Sequence, residues 1–302
     1  MEPNNSLVLP PSDTTSDPNA VARQFAQTIT EEELVQRVQT LYTPYITYSP
    51  DNPLFFIKFG DDEMQGEGDM QMLAFTWLRQ ECQRNPNCNI HVPEIFRIFT
   101  RDGLTFIIME FVPAVPVVEF GKSFDPSSWD REQTRYFDMI AEGVHLLSRV
   151  PVPADATPGP YMSGERIIRH LLFKNCMAPV VYQTIQELED QLNRVAERGY
   201  RIVRDPPDLT TVTLEKDLNM FCYTGFNDEN FMFTTDPDGR LRLYIVDFGH
   251  ASFLPPSFLA FAVFEPRRRW FLCPWIADKF GASLPRVPGP LDLRGNNGHQ
   301  IP

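Results

Sequence analysis

Two polar residues bracket an apolar hairpin in the segment 221–256, FCYTGFNDENFMFTTDPDGRLRLYIVDFGHASFLPP. Asn230 begins the first apolar run, Asp247 follows the second, and Asp236-Pro237-Asp238-Gly239 lies between them. Asp-Gly between β-rich runs predicts a tight hairpin, with Asn230 on the strand paired to the one that leads into Asp247. An amide and a carboxylate at strand ends are costly to bury unless each has a partner. Lys58 poses the same problem inside Leu54-Phe55-Phe56-Ile57-Lys58-Phe59, where an ammonium needs an anion or an outlet to solvent. Glu67 and Asp69 stand a short way downstream, where acids also suit the first turn of a helix. The chemistry these residue types offer is the binding of charge.

Several elements must position them. Thr30 is a predicted N-cap with Glu33 three residues on, and Leu34, Val38 and Leu41 share one face of the helix that follows. After the Lys58 strand, 67–79 has Met72, Phe75 and Leu78 at helical spacing. Residues 91–96 and 104–112 form a second hairpin around Asp102-Gly103, running out in Met109-Glu110-Phe111-Val112-Pro113. From Pro113 the pattern turns helical, with helices expected over 130–150, 164–174, 180–199 and 267–280. His145 and His170, single histidines on such helices, read as structural. Residues 1–28 are polar and Pro-rich and are expected to be disordered, and 283–302 to be a mobile tail.

Lys58, the run Met109–Val112, Asn230 and Asp247-Phe248-Gly249, in that order, resemble the aminoglycoside phosphotransferase and choline-kinase branch of the kinase-like superfamily. The form Asp-Phe-x-x-x-Ser-Phe-Leu-Pro-Pro-Ser-Phe, from Asp247, is similar to fungal members, and the resemblance spans Lys58 to about Phe280. It implies an α+β, protein-kinase-like two-lobed fold, with a small antiparallel-sheet N-lobe over 29–112 and a mainly helical C-lobe over 113–282. It further implies that Lys58 holds the α/β-phosphates of ATP and that Asn230 and Asp247 hold magnesium. Backbone groups near Glu110 and Val112 would meet the adenine edge, with Met109 on the back wall. By the family's Glu-x-x-x-Leu-x-Phe register, Asp69 takes the place of the acid that pairs with Lys58, with Glu67 half a turn earlier as its competitor. The family's Gly-rich phosphate lid has no visible counterpart, since 45–53 contains no glycine.

The catalytic loop departs from the family's His-Gly-Asp-x-x-x-x-Asn. Counting back from Asn230, Gly225 holds the position of the catalytic Asp and Tyr223 that of the His. Asp228, three residues past Gly225, is the nearest substitute base. Three functions stay open on this reading. One is a magnesium-nucleotide-binding pseudoenzyme, one an active phosphotransferase on a small-molecule hydroxyl with an unconventional base, and one a nucleotide-free scaffold for a protein partner.

Composition narrows the surroundings. A net charge of −13 argues against a nucleic-acid partner, which needs a basic face, and Arg267-Arg268-Arg269 reads as a solvated helix end. Five scattered cysteines, none at zinc-site spacing, read as reduced thiols in a cytoplasmic setting. The N-terminus lacks the basic and apolar regions of a signal peptide, and no apolar run is long enough for a membrane span.

Overall fold

The computed structural model describes residues 17–285 apart from 18, 40, 50, 62, 120–130, 162–165, 203–210, 217–219 and 265–271. The arginine cluster 267–269 and most of the expected C-terminal tail lie outside the described residues. The chain order begins with α1 (Ala20–Ala26), α2 (Glu31–Val38), β1 (Tyr45–Tyr48), β2 (Phe55–Gly60), α3 (Glu63–Arg84), β3 (Ile90–His91), β4 (Ile95–Arg101), β5 (Leu104–Glu110) and β6 (Val115–Pro116). It continues with α4 (Arg131–Leu147), α5 (Ile185–Ile202), β7 (Met220–Tyr223), β8 (Phe231–Thr235), β9 (Leu241–Ile245), β10 (Ala251–Leu254), α6 (Pro256–Phe264) and α7 (Cys273–Phe280). The expected α+β architecture is present, with a small antiparallel sheet in the first part and most of the helix after it.

The first sheet runs β1-β2-β5-β4, antiparallel throughout. Alternation along β2 buries Phe55 and Ile57 on one face and leaves Phe56 and Lys58 on the other. Phe55, Ile57, Phe106 and Ile108 form one apolar cluster with Ala26, Leu34, Val35 and Val38 of α1 and α2. α3 lies on the opposite face, so close that a Cβ on Gly68 would stand 2.5 Å from Ile98 Cδ1. Asp102 and Gly103 take φ of 52° and 77°, the left-handed pair that a two-residue hairpin turn requires. Thr30 caps α2 as expected, accepting the Glu33 N–H at 3.2 Å. Arg97 holds the same helix start through the Ile29 carbonyl at 2.9 Å and Glu31 at 2.8 Å.

A second sheet, β3-β9-β8-β6, joins the two parts of the chain. β3, from the connection after α3, pairs in parallel with β9, and the predicted β8–β9 hairpin places Phe231 opposite Ile245. β7 and β10 form a two-stranded sheet beside it.

Three expectations need correction. Residues 20–26 form a helix rather than part of a tail: Ala22 and Ala26 are buried, and Phe25 packs 5.6 Å from Tyr48 and 6.3 Å from Phe55, ring centre to ring centre. The span 164–174 is not a helix where it is described. Arg169 bridges to Met177, and buried His170 accepts the Leu172 N–H at Nδ1 while Nε2 meets the Phe258 carbonyl at 3.0 Å. The histidine's ring and its backbone partners thus hold an irregular segment that periodicity alone could not exclude. Finally, Cys82 and Cys88 form a disulfide, because the turn after α3 folds Cys88 back over the last helical turn. Cys222 and Cys273 are buried free thiols, as expected. No helix among the described residues is long and apolar enough to cross a membrane.

The covering role of α1 can be measured. Phe25→Ala removes a half-buried ring from the outer face of the sheet and should cost about 2 kcal/mol of stability. A urea midpoint equal to that of the parent protein would show that α1 does not cover the sheet.

Candidate functional site

Lys58 finds its anion in two places. Its Nζ donates to both oxygens of Glu67, at 2.7 and 2.9 Å, and to Asp247 Oδ1 at 2.8 Å. β2 supplies the lysine, α3 the glutamate and the end of β9 the aspartate, so three segments far apart in sequence converge on one ammonium. Glu67 is the acid that pairs with Lys58. Asp69, favoured by the family register, is instead buried two residues on, where its Oδ1 accepts from Gln65 at 3.1 Å. On a helix, two residues turn a side chain through about 200°, so only one of the two can face the lysine. The Lys58 and Asp247 side chains remain 23% and 42% exposed, and the centre opens to solvent on their side.

The charges are mutually dependent. Burial alone would lower the Lys58 ammonium, but Glu67 and Asp247 outweigh it and hold its pKa above the ordinary value. Burial pushes the Glu67 carboxyl up, and Lys58 offsets only part of that rise. Burial also acts to raise Asp247, but there the lysine wins and holds the carboxyl below its usual range.

Asp247 adopts φ 61° and ψ 78°, a left-handed conformation that costs a non-glycine residue about 1 kcal/mol. Its neighbours hold it there. Phe248 is fully buried, its ring 5.2 Å from that of Tyr223. Gly249 allows a close approach, since a Cβ there would lie 3.2 Å from Glu67 Oε2, which would have to give by a few tenths of an ångström. Thr224 clamps the following turn, donating from both N and Oγ1 to the His250 carbonyl.

The hairpin brings Asn230 to the same end, where its carbonyl accepts the Val246 N–H at 3.0 Å. Asn230 is buried, and its Nδ2 donates to the Gly225 carbonyl at 3.0 Å. That leaves Oδ1 as the amide's acceptor. Gly225 does not open a space. A Cβ built on it would meet Tyr223 Oη and Asn230 Nδ2, each at 3.2 Å, although its backbone is not left-handed. The Tyr223 phenol fills the volume, buried and donating to the Val246 carbonyl at 2.7 Å. Burial drives this phenol's pKa well above its ordinary value. Asp228 begins the 3-10 turn Asp228–Asn230, half-buried, with burial raising its carboxyl. That turn packs against β6 and the turn after it.

The remaining predicted positions lie along β5 and its exit. Met109 is buried on the Lys58 side of the sheet, pairing with Phe56, and its sulfur receives the Gln71 amide at 3.6 Å. Glu110 gives its N–H to the Glu94 carbonyl, and Val112 accepts the Ala114 N–H at 2.9 Å. One strand precedes β2 in the sheet, and among the described residues no glycine-rich hairpin covers Lys58. The tyrosine plug and the close approach at Gly249 were missed in the sequence. The one available signal was the pairing of Tyr223 with Gly225 two residues on.

No family model and no curated protein matches the chain. Among solved structures it is similar to the GDP and kanamycin complex of APH(2")-IIia, at 14% identity and a TM-score of 0.47 over 87% of each chain. It is also similar to the GDP complex of wild-type aminoglycoside 2'-phosphotransferase-IIIa, at 13% identity and a TM-score of 0.45, over 89% of this chain and 86% of that one. A third is aminoglycoside-3'-phosphotransferase of type VIII, at 12% identity and 0.43, over 87% and 96%. Similarity at this level says nothing of the site, which stands on its own residues.

Removing the cation should expose the dependence of the charges. Lys58→Met leaves buried Glu67 facing Asp247 and should cost about 3 kcal/mol, part of it recovered in Lys58→Met/Glu67→Gln. Because the folded lysine's pKa is raised, its contribution is complete below about pH 10.4, the ordinary lysine value, and is lost as pH rises through the folded value. Urea midpoints against pH test both points. A parent and a Lys58→Met protein with the same alkaline slope would show that the ion pair is not the source.

Proposed function

We propose that this protein is an aminoglycoside-phosphotransferase-like pseudoenzyme that binds a magnesium nucleotide at Lys58 and Asp247 and transfers phosphate weakly or not at all. The supporting observation is the contrast within one loop region. The charge centre Lys58–Glu67–Asp247 is intact, while the position that would carry the base is glycine, closed over by the Tyr223 phenol.

The residues fit the proposed ligands. Asp247 carboxylate and Asn230 Oδ1 are hard oxygen donors, few in number, as suits magnesium that takes its other ligands from phosphates and water. Lys58 is the cation for the phosphates, and Glu67 keeps it charged and aimed. Bound magnesium would neutralise charge on the nucleotide phosphates. An acceptor hydroxyl, by contrast, would find no carboxylate at 225 to take its proton. A positioned base contributes about 10²–10⁴-fold, so its loss cripples transfer without forbidding it.

A second reading, an active phosphotransferase on a small-molecule hydroxyl, has one observation in its favour. Asp228 is a half-buried carboxyl raised by burial, a property of general bases. A third, a nucleotide-free scaffold, is favoured by the Lys58–Asp247 ion pair, which satisfies both charges without a ligand.

Thermal-shift titration with Mg-ATP separates the scaffold from the other two: binding to the native state alone stabilises by about 2.7 kcal/mol at a hundredfold excess over Kd. No shift would favour the scaffold. For the pseudoenzyme, wild-type turnover should be at or below slow ATP hydrolysis. Gly225→Asp alone should stay inactive, because Tyr223 crowds the new side chain, whereas Tyr223→His/Gly225→Asp should raise turnover about tenfold or more. Wild-type turnover at ordinary kinase rates that Asp228→Ala abolishes would favour the second reading.

A further inference from the structure

The first part of α3 has no single apolar stripe to orient it. Residues 66–71 are buried without a break, over more than one full turn of helix. Burial on every side does not select a rotation in the way an amphipathic face does. Gly66 and Gly68 fall in the same stretch, so few side chains stand out to key the helix into the sheet. Directional bonds must supply what is missing. The polar side chains there are Glu67, Asp69 and Gln71. Glu67 meets Lys58, whose long flexible stem can follow an acid through a range of positions. Asp69 takes the Gln65 amide of its own helix.

Gln71 bonds to the frame of the sheet instead. Its Nε2 donates to the Pro93 carbonyl at 2.9 Å and meets the Met109 sulfur at 3.6 Å, which occupies both amide hydrogens. Both acceptors are held in place. Pro93 lies between β3 and β4 with its φ fixed by the ring. Beside it, Glu94 accepts the Glu110 N–H at 2.8 Å and gives its own N–H to the Glu110 carboxylate at 3.1 Å. Met109 pairs with Phe56 on the lysine's own strand. Gln71 is 1% exposed, so water does not compete for these bonds. An apolar side chain would fill the same space; what the amide adds is direction. Gln71 follows Glu67 by four residues, about 40° round the helix, so a rotation that breaks its bonds carries Glu67 off the lysine.

We infer that Gln71 is the positioning residue of the Lys58 centre. Its bond to the Pro93 carbonyl sets the rotation of α3 that presents Glu67, and not Asp69, to the lysine.

The test is a double-mutant cycle by urea unfolding of the full chain. Gln71→Met keeps the length of the side chain and removes the donor. In the parent background it should lower the folding equilibrium constant about tenfold. In Lys58→Met/Glu67→Gln no pair is left to position, and the loss should be about threefold or more smaller. Leu78→Val, buried farther along the same helix, should lose the same factor in both backgrounds. Affinity for Mg-ATP should also fall about threefold or more in Gln71→Met and hold at the parent value in Leu78→Val. That second readout rests on the proposed reading of the centre, whereas the cycle does not. A parent protein with no Mg-ATP response counts against the proposed reading and leaves the cycle to decide this one. Gln71→Asn, too short for the Pro93 carbonyl, repeats both readouts where Gln71→Met does not fold. Equal losses in the two backgrounds overturn the inference, as does an undiminished affinity in a folded Gln71 variant of a protein that binds Mg-ATP.

Discussion

A lysine set in the middle of an apolar strand is the constraint on which the rest of the site depends. β2 must bury Phe55 and Ile57 to hold the first sheet to α1 and α2, and strict alternation then commits Lys58 to the opposite face. There it cannot remain without an anion. Glu67 is nearly fully buried and would itself be intolerable without the lysine, so each charge is the condition for the other. Their pairing fixes how far along the sheet α3 can sit, and Gly68, beside Glu67, removes the side chain that would hold the helix away. Asp247 then completes the centre from the far part of the chain. The same three side chains connect the sheet, the helix and the hairpin.

The loop between β7 and β8 shows a paired choice of residues. Glycine at 225 and tyrosine at 223 are complementary in volume: the phenol lies where a side chain at 225 would begin, and its hydroxyl bonds the Val246 carbonyl just before Asp247. A carboxylate placed at 225 would need Tyr223 or Asn230 to give by a few tenths of an ångström. The phenol adds rigidity under Asp247, whose left-handed backbone needs support.

Much of the centre was legible because its residues break local rules. A lysine in a strand, and an asparagine and an aspartate at the ends of an apolar hairpin, are visible in one dimension, and both Asp-Gly turns formed where expected. The choice between Glu67 and Asp69 was not legible, since both lie in the first two turns of α3 and only the phase of that helix against the sheet decides which faces the lysine. α1 was hidden by the polar composition around it; it holds its place through Phe25 and the Arg23–Glu94 pair, both long-range contacts. The disulfide was hidden for a local reason: only the turn after α3 brings Cys88 back over Cys82, six residues away. His170 sits in a segment whose shape is set by backbone partners on α6, which no local pattern reports.

The Lys58–Asp247 contact carries a consequence for any ligand of this centre. Asp247 Oδ1 is committed to the ammonium at 2.8 Å, so a cation that claims that oxygen competes with the lysine. An anion that gives Lys58 an alternative partner releases Asp247 from that competition. Under the proposed reading, anion and cation therefore assist one another, by the same factor in each direction, since coupling between bound ligands is reciprocal. Glu67 makes this exchange possible: it keeps Lys58 paired through both oxygens, so the ammonium stays charged and in place while Asp247 is withdrawn. With a single acid the lysine would follow its partner. With two, one is structural and the other is available.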